Sequence, residues 1–579
     1  MDFRQDPQVG YIPSSSEEEG GLSPLLQKEG RQRGDGMQSS NVVGRFPGSI
    51  KYLVWNEFCE RFSFYGMKTI LALYLLEHLR LSENQSTEMV HLFIVMSYAT
   101  TVIGAVLSDS FWGKYRTILY LSVVYCAGNW VMASSASFPA TASSTSTSAF
   151  WAASTGLILI AFGTGGIKPC VAAFGGDQIA YSLADGHVKD QIQRQFFSLY
   201  YFAINSGSFI STLLTPVLRA RFSYTVAFAV PAVLMMCALF VFLLGQQTYI
   251  DVPPSGNILT DFFTIILDGI KLKMARKQDY LSRSGREEAT NTVQLARAKQ
   301  PRHWLDAATA KHDKTAVEDV KTVLRLLLFL LPTPLFWSLS DQQSSKWVFQ
   351  AQRLDGRISW LGGLEIQPDQ MQAFNPVFIL LLIPLFDRAI YPLLEKGGIP
   401  LKPIWRMALG MLLTSLAFVL SALLQLAIDS HSDAHLTFLS SSHAFSQTGM
   451  AGMPNTTSSL SILWQVPQYF LITVGEILFS ITGLEFAYSQ APQSMKSLIQ
   501  SAWLFTVSAG NLLTVIIVAA IGNRLSKANE FFFFAGGCLV AMLLMIWLGS
   551  GFIYKSLPSP PSEEDPLLTD STETQVSIT

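Results

Sequence analysis

About twelve stretches, each of about 20 mostly apolar residues, follow one another along this chain, and that is the length a helix needs to cross the hydrocarbon core of a bilayer. They lie near 50–77, 89–109, 115–134, 150–174, 194–219, 223–245, 322–341, 373–395, 402–428, 463–488, 497–521 and 530–555. The expected fold is an all-α membrane protein. Its charge content agrees. Only 14% of residues are charged, against about 25% in a soluble domain, too few to cover a water-facing surface of this size. The 40 basic and 42 acidic residues leave a net charge of −2, which excludes the basic footprint of a nucleic-acid binder. Cys59, Cys126, Cys170, Cys237 and Cys538 all fall in apolar runs, so buried free thiols are expected rather than a disulfide framework.

A long polar stretch divides the runs into two sets of six. The expected organisation is a cytosolic, disordered tail over 1–48, a six-helix bundle over 49–245, a cytosolic linker over 246–321, a second six-helix bundle over 322–555 and a cytosolic tail over 556–579. Two six-helix halves joined by a linker are the layout of the major facilitator architecture. Within the linker, Phe262, Phe263, Ile265, Ile266 and Ile270 precede a basic run, a pattern open to an amphipathic surface helix or a solvated linker. Two sequons, at Asn84 and Asn455, fall on one side of the membrane, the side where glycosylation occurs if the N-terminus is cytosolic. The second lies in an expected lumenal or extracellular loop, 429–460. Lys114, Arg116, Lys189, Arg194, Lys396 and Lys402 fall on the other side, as the positive-inside rule requires.

Ionisable residues inside the runs carry the functional information. Each costs roughly 2.5–3.5 kcal/mol at a helix centre, so each must face a polar cavity or a partner. Glu57, Glu60 and Arg61 share one helical face in the first run. Two carboxylates around one guanidinium leave a negative charge that a proton can cancel. His91, Lys168, Glu476 and Glu485 are further cases, and Arg325, Asp341 and Lys346 punctuate the seventh run. Lys168 follows G-T-G-G, whose glycines let helices approach closely; no strand precedes this string and Pro169 follows the lysine, so a phosphate loop is excluded. Asn205 and Asn375 can bond amides or termini. Tyr65, Tyr74, Tyr98, Tyr201, Trp337 and Trp503 are candidate pocket walls. No nucleophile–base–orienter set and no metal-ligand spacing appears on one face, so no enzyme, metal or organic cofactor is expected. A cavity with carboxylates on one wall and cations on another suits a zwitterion.

Seven strings then carry a resemblance: E-F-C-E-R-F-S-F-Y-G from Glu57, G-A-V-L-S-D-S-F-W-G-K-Y-R from Gly104, G-T-G-G-I-K-P-C-V-A-A-F-G-G-D-Q from Gly163, F-F-S-L-Y-Y-F-A-I-N-S-G-S from Phe196, F-W-S-L-S-D-Q-Q from Phe336, L-E-I-Q-P-D-Q-M-Q from Leu364 and G-L-E-F-A-Y-S-Q-A-P-Q-S-M-K-S from Gly483. Over Ile50 to Lys555 the chain resembles the proton-dependent oligopeptide transporters, and within them the animal peptide transporters. The resemblance implies proton-coupled symport of di- and tripeptides by alternating access, with the proton as coupling ion. It implies proton-linked roles for Glu57, Glu60, Arg61, His91 and Lys168. Arg61 and Lys168 would also meet the peptide carboxylate, Tyr65, Tyr74, Tyr98, Tyr201, Trp337 and Trp503 would line the cavity, and Asn205, Asn375 and Glu485 would hold the backbone and ammonium. Asp109, Arg325 and Asp341 would be gating charges. Phe64 stands where many members have Tyr. The stretch 429–460 is far shorter than the lumenal domain of intestinal and renal members, which fits the histidine/peptide subgroup, bacterial-like members or an invertebrate transporter. Free histidine or another small solute is the alternative cargo, and a membrane signalling scaffold is the alternative role.

The C-terminal tail carries Glu563, Glu564, Asp565, Pro566, Leu567 and Leu568, an acidic dileucine pattern read by sorting adaptors; Glu17, Glu18 and Glu19 precede Leu25 and Leu26 at a longer spacing. An endosomal or lysosomal membrane is favoured over the plasma membrane.

Overall fold

A computed structural model describes residues 46–138, 147–182, 186–254, 258–284, 303–358, 362–398, 402–441 and 459–550. Asn455 and both sorting-type strings lie outside these residues.

The first bundle comprises α1 (Ile50–Leu73), α2 (Glu83–Val106), α3 (Gly113–Ser135), α4 (Thr147–Ser182), α5 (Gly186–Arg221) and α6 (Tyr224–Leu244). A linker helix, α7 (Ile258–Ser284), follows. The second bundle comprises α8 (Lys314–Leu330), α9 (Thr333–Ser340), α10 (Lys346–Ala351), α11 (Phe374–Leu385), α12 (Tyr391–Lys396), α13 (Pro403–Ser441), α14 (Val466–Glu476), α15 (Thr482–Gln490), α16 (Lys496–Ile521) and α17 (Lys527–Ser550). A two-residue hairpin, β1 (Arg357–Ile358) with β2 (Leu364–Glu365), joins α10 to α11.

Eight described helices are long and apolar enough to cross a membrane, or nine with α8 and α9–α10 taken as one span bent by 46°. One of the eight is the continuous run Glu83–Ser135. It would be about 80 Å long if straight, more than twice the hydrocarbon thickness. Gly113, at φ 76°, breaks it into α2 and α3, a conformation glycine adopts without steric cost. The helices beginning at Ile50 and Gly186 fall outside the apolar set; the first holds Lys51, Glu57, Glu60, Arg61 and Lys68. Both contribute polar residues to the interior described below, among them Lys68 and Thr212.

Glycines set how closely α2, α3 and α4 pack. A Cβ at Gly165 would lie 1.9 Å from Thr100 Oγ1, one at Gly163 would lie 2.4 Å from Tyr125 Cβ, and one at Gly104 would lie 2.2 Å from the Gly166 carbonyl. Close backbone approach of this kind is how helices associate where lipid offers no hydrophobic drive. The G-T-G-G string is thus a packing seam, and it carries Lys168 at its end.

Three features differ from the sequence-based reading. Helix α13 continues to Ser441, into the stretch expected as a loop from 429, because no Pro or Gly interrupts 404–441 except Gly410. Cys237 is exposed, whereas the other four thiols are buried; an apolar run on a bundle's outer face is covered by lipid, not protein. The linker contains a docked helix. In α7, Phe262 and Ile265 are buried, Gly269 sits against Leu305 and Trp304, and Asp268 meets His312 Nε2 at 3.1 Å and Lys311 Nζ at 3.4 Å. The helix is therefore docked on the turn preceding α8.

Candidate functional site

The face of α1 that looks inward carries Glu57, Arg61, Tyr65 and Lys68, spaced by helical turns. Arg61 Nε lies 2.7 Å from Glu57 Oε1 and 2.8 Å from Glu60 Oε2, with all three side chains buried. Glu60 also accepts from Thr164 Oγ1 on α4 at 3.2 Å. One turn further along α4, Lys168 Nζ stands 3.7 Å from the centroid of the Tyr98 ring and 5.8 Å from that of Phe64. The ammonium thus rests on a ring face, a cation–π arrangement worth about 2 kcal/mol or more when desolvated. Two carboxylates, a guanidinium and an ammonium are gathered within one bundle.

Two turns beyond Arg61, Lys68 reaches the other bundle, 3.5 Å from Asp341 Oδ1. Asn511 on α16 donates from Nδ2 to Asp341 Oδ2 at 2.7 Å, and its Oδ1 lies 2.6 Å from His91 Nδ1. That orientation makes Nδ1 a donor, and His91 Nε2 lies 2.9 Å from the Ser345 hydroxyl. A continuous polar chain therefore links Lys68, Asp341, Asn511, His91 and Ser345 across the bundle interface.

Between these groups lies a cavity of about 70 Å³, lined by Tyr65, Lys68 and Thr212 from one bundle and by Asp341, Gln372 and Asn375 from the other. It has room for a few waters and none for a ligand needing roughly 300 Å³ or more. On its second-bundle wall, Asn375 Nδ2 donates to Glu476 Oε2 at 2.8 Å and to Thr473 Oγ1 at 3.2 Å. Glu476 is fully buried and ends α14 where a wider π-turn, Ile477–Ile481, begins. Such turns recur at functional sites.

Beyond the cavity the bundles are clamped at the face away from the linker, called here the latch face. Arg219 binds Asp369 through Nε and Nη2, both at 3.0 Å. Glu83 bridges Arg353 at 2.8 Å and Lys527 at 2.6 Å. Gln352 donates to Glu77 at 2.8 Å. Lys346 binds Glu530 at 3.0 Å and Asn84 Oδ1 at 2.9 Å, while Asn84 Nδ2 donates to Asn523 at 2.8 Å. Each of these contacts except Lys346–Glu530 joins the two bundles.

Several expected site residues are placed elsewhere. Tyr74 is buried inside the first bundle, bonded to Ser135 at 2.8 Å and packed on Phe228. Trp337 and Trp503 are fully enclosed in the second bundle, 6.2 Å apart edge to face, and Trp337 donates to Thr506. All three are core packing here. Glu485 lies nine residues beyond Glu476 and is exposed, whereas the carboxylate that Asn375 meets is Glu476. Arg325 is exposed on α8, and Asp341 is held by Lys68 and Asn511. Asp109 accepts from Ser108 at 3.0 Å within its own turn; Lys114 of the same turn binds Asp177 at 2.6 Å. Asn84 is in the first turn of α2, inside the clamp, and not in a free loop. Asn205 donates to the Tyr201 carbonyl at 2.8 Å. Lys68 and Asn511 were missed; seven residues separate Lys68 from Arg61, the one sequence sign that both share a face.

Two helical bundles around a polar midplane, clamped at one face, define a membrane transporter of the major facilitator architecture. Comparison with known proteins specifies it further. The sequence profile described as PTR2, POT family, matches residues 115–534. The chain is 31% identical to solute carrier family 15 member 1 of Homo sapiens, over 90% of this chain and 95% of that protein. It is 31% identical to solute carrier family 15 member 2 of Oryctolagus cuniculus, over 95% and 94%. Among solved structures, an autoinhibited POT family peptide transporter superposes with a TM-score of 0.71 at 30% identity, over 89% of this chain and 99% of that one. The chain belongs to the POT family, the proton-dependent oligopeptide transporters.

Proposed function

We propose that this chain is a proton-coupled symporter of di- and tripeptides rather than an enzyme, working by alternating access. The observation that carries the reading is the pairing of two poles around one cavity. Tyr65, one turn past the Glu57–Glu60–Arg61 cluster, and Asn375, which holds Glu476, line it from opposite bundles. Short peptides share an ammonium, a carboxylate and an amide. Arg61 and Lys168 receive the carboxylate, Glu476 receives the ammonium, and Asn205 and Asn375 receive the amide. Protonation of Glu57 or Glu60 loosens the hold on Arg61 and frees it for the peptide, so proton and peptide affinities rise together, as linkage requires. The chain from Lys68 to His91 couples the same event to the bundle interface. With its latch face clamped, the molecule is closed at the side away from the linker, the non-cytosolic side by the positive-inside pattern.

Glu60→Gln is the test. In proteoliposomes it abolishes uptake driven by a pH gradient while peptide counterflow persists; concentrative uptake in the variant would overturn the assignment. Competition by free histidine separates peptide from amino-acid cargo, and peptide-dependent proton movement separates transport from a scaffold role. The acidic dileucine at Leu567 and Leu568 supports an endosomal or lysosomal membrane, where a lumenal acid pool drives export to the cytosol; with both leucines changed to alanine, imaging should find the chain at the cell surface. Asn455 is the glycan acceptor in this reading.

A further inference from the structure

The bundle seam has a second cavity, on its outside. Helix α5 shows Ser208 and Thr212 to the interior cavity, but Phe209, Leu213 and Val217 to a groove of about 1050 Å³ on the other side of the helix. The start of α11 is divided in the same way: Asn375 faces inward, whereas Phe374 and Val377 line the groove. Gln370 Nε2 donates to the Leu213 carbonyl at 3.1 Å, a polar bridge from one wall to the other. Leu213 and Val217 are 37% and 40% exposed, which in a membrane-spanning helix means exposed to lipid. At the latch-face end the walls become charged. Arg221 and Glu365, both exposed, line the rim; Arg219 beside them is committed to Asp369.

We propose that this groove is a binding site for one glycerophospholipid with an amine-bearing zwitterionic headgroup. Arg221 takes the phosphate and Glu365 the ammonium. One acyl chain lies along Leu213, Val217 and Val377. The volume is at the upper end of ligand-binding cavities, about 300–1,000 Å³, and an apolar trough with one cation and one anion at its water-side end complements a tail joined to a zwitterion. The site belongs to one conformation. One wall comes from each bundle, and they are held together by the Arg219–Asp369 clamp, so separation of the bundles at this face removes it. A ligand shifts an equilibrium by its differential affinity for the two states; a lipid here stabilises the closed latch. The site does not depend on which solute the transporter carries.

The test uses the full chain reconstituted in nanodiscs containing photoactivatable phosphatidylethanolamine, phosphatidylglycerol or sterol, with cross-links mapped by mass spectrometry. Phosphatidylethanolamine should label 209–221 and 365–377 above all other lipid-facing helices. Arg221→Ala should lower that capture about fivefold, the factor for the ~1 kcal/mol that one basic residue contributes at a lipid surface. Val217→Trp, which fills the trough, should remove it, and Leu543→Trp on α17 should leave it unchanged. Arg221 is exposed, so its variant keeps the test valid if Val217→Trp does not fold. Uniform labelling of every span would reduce the groove to ordinary annular lipid and overturn the proposal. Equal capture of phosphatidylglycerol, or preferential capture of the sterol, would overturn the headgroup assignment.

Discussion

Asp369→Asn measures what holds the latch face closed. The Asp369 carboxylate is fully buried and meets Arg219, itself 11% exposed, through two parallel 3.0 Å bonds. Removing one partner of a buried pair costs about 3–5 kcal/mol, because the other charge is stranded. Glu77, 36% exposed and 3.8 Å from Arg219 Nη1, compensates in part, which places the loss near the lower end, about 3 kcal/mol. When the bundles part at this face, both groups meet water, so the loss falls on the closed state alone. At 1.36 kcal/mol per factor of ten, ~3 kcal/mol moves the closed–open equilibrium about 150-fold toward open. Pulsed electron paramagnetic resonance between spin labels at Phe222 and Arg524, both exposed at the latch face on opposite bundles, reads that shift directly, with Cys237 replaced because it too would be labelled. A long-distance population should grow in Asp369→Asn. Adding Arg219→Gln should not grow it further, because the stranded charge is then gone. A distance distribution identical to the parent's, or fully additive effects of the two substitutions, would refute the reasoning.

Other outcomes follow from the same geometry. Glu476→Gln should weaken uptake of peptides with a free amine by roughly tenfold or more, the loss of one charge-assisted bond, and should affect N-acetylated peptides far less, while Glu485→Gln should leave both nearly unchanged; radiotracer uptake of the two substrate sets distinguishes them. Asn511→Leu severs Asp341 from His91 and should flatten uptake as a function of the imposed pH gradient; an unchanged profile would remove the polar chain from the coupling scheme. In the turn before α8, Lys321 and the His303 backbone N–H hold the Asp306 carboxyl below its usual range. A lowered carboxylate pKa contributes stability above the ordinary carboxylate range and loses it as pH falls through the lowered value. Hydrogen-exchange protection of 303–311 should thus be level from pH 5 to 8 and be lost only below the ordinary carboxylate range, whereas Asp306→Asn should show the looser pattern at neutral pH.

Most of the spans and the polar helix faces were legible because they are local. Hydrophobic length, the G-T-G-G seam and the spacing of Glu57, Glu60 and Arg61 each lie within a single helix. What crosses between helices was not. Asn511 is 420 residues from His91, and nothing in its own apolar run distinguishes it from Asn129 or Asn205 except the partner it meets. Choosing between Glu476 and Glu485 needed the azimuth of a helix interrupted by a π-turn, which shifts every later side chain around the axis. Trp337, Trp503 and Tyr74 show the converse: a large ring in an apolar run has the same sequence signature whether it packs a bundle or walls a cavity.

The position of Asn84 has a consequence for biosynthesis. Oligosaccharide transfer takes place on a nascent chain, before the second bundle exists to compete for the asparagine. The nitrogen that would carry the sugar is the one that donates to Asn523, and its oxygen binds Lys346. A sugar on that nitrogen would remove the bond to Asn523, so an Asn84 glycan and this closed face exclude each other. One side chain thus carries both the sequon and a contact between the bundles, and it can serve only one of them.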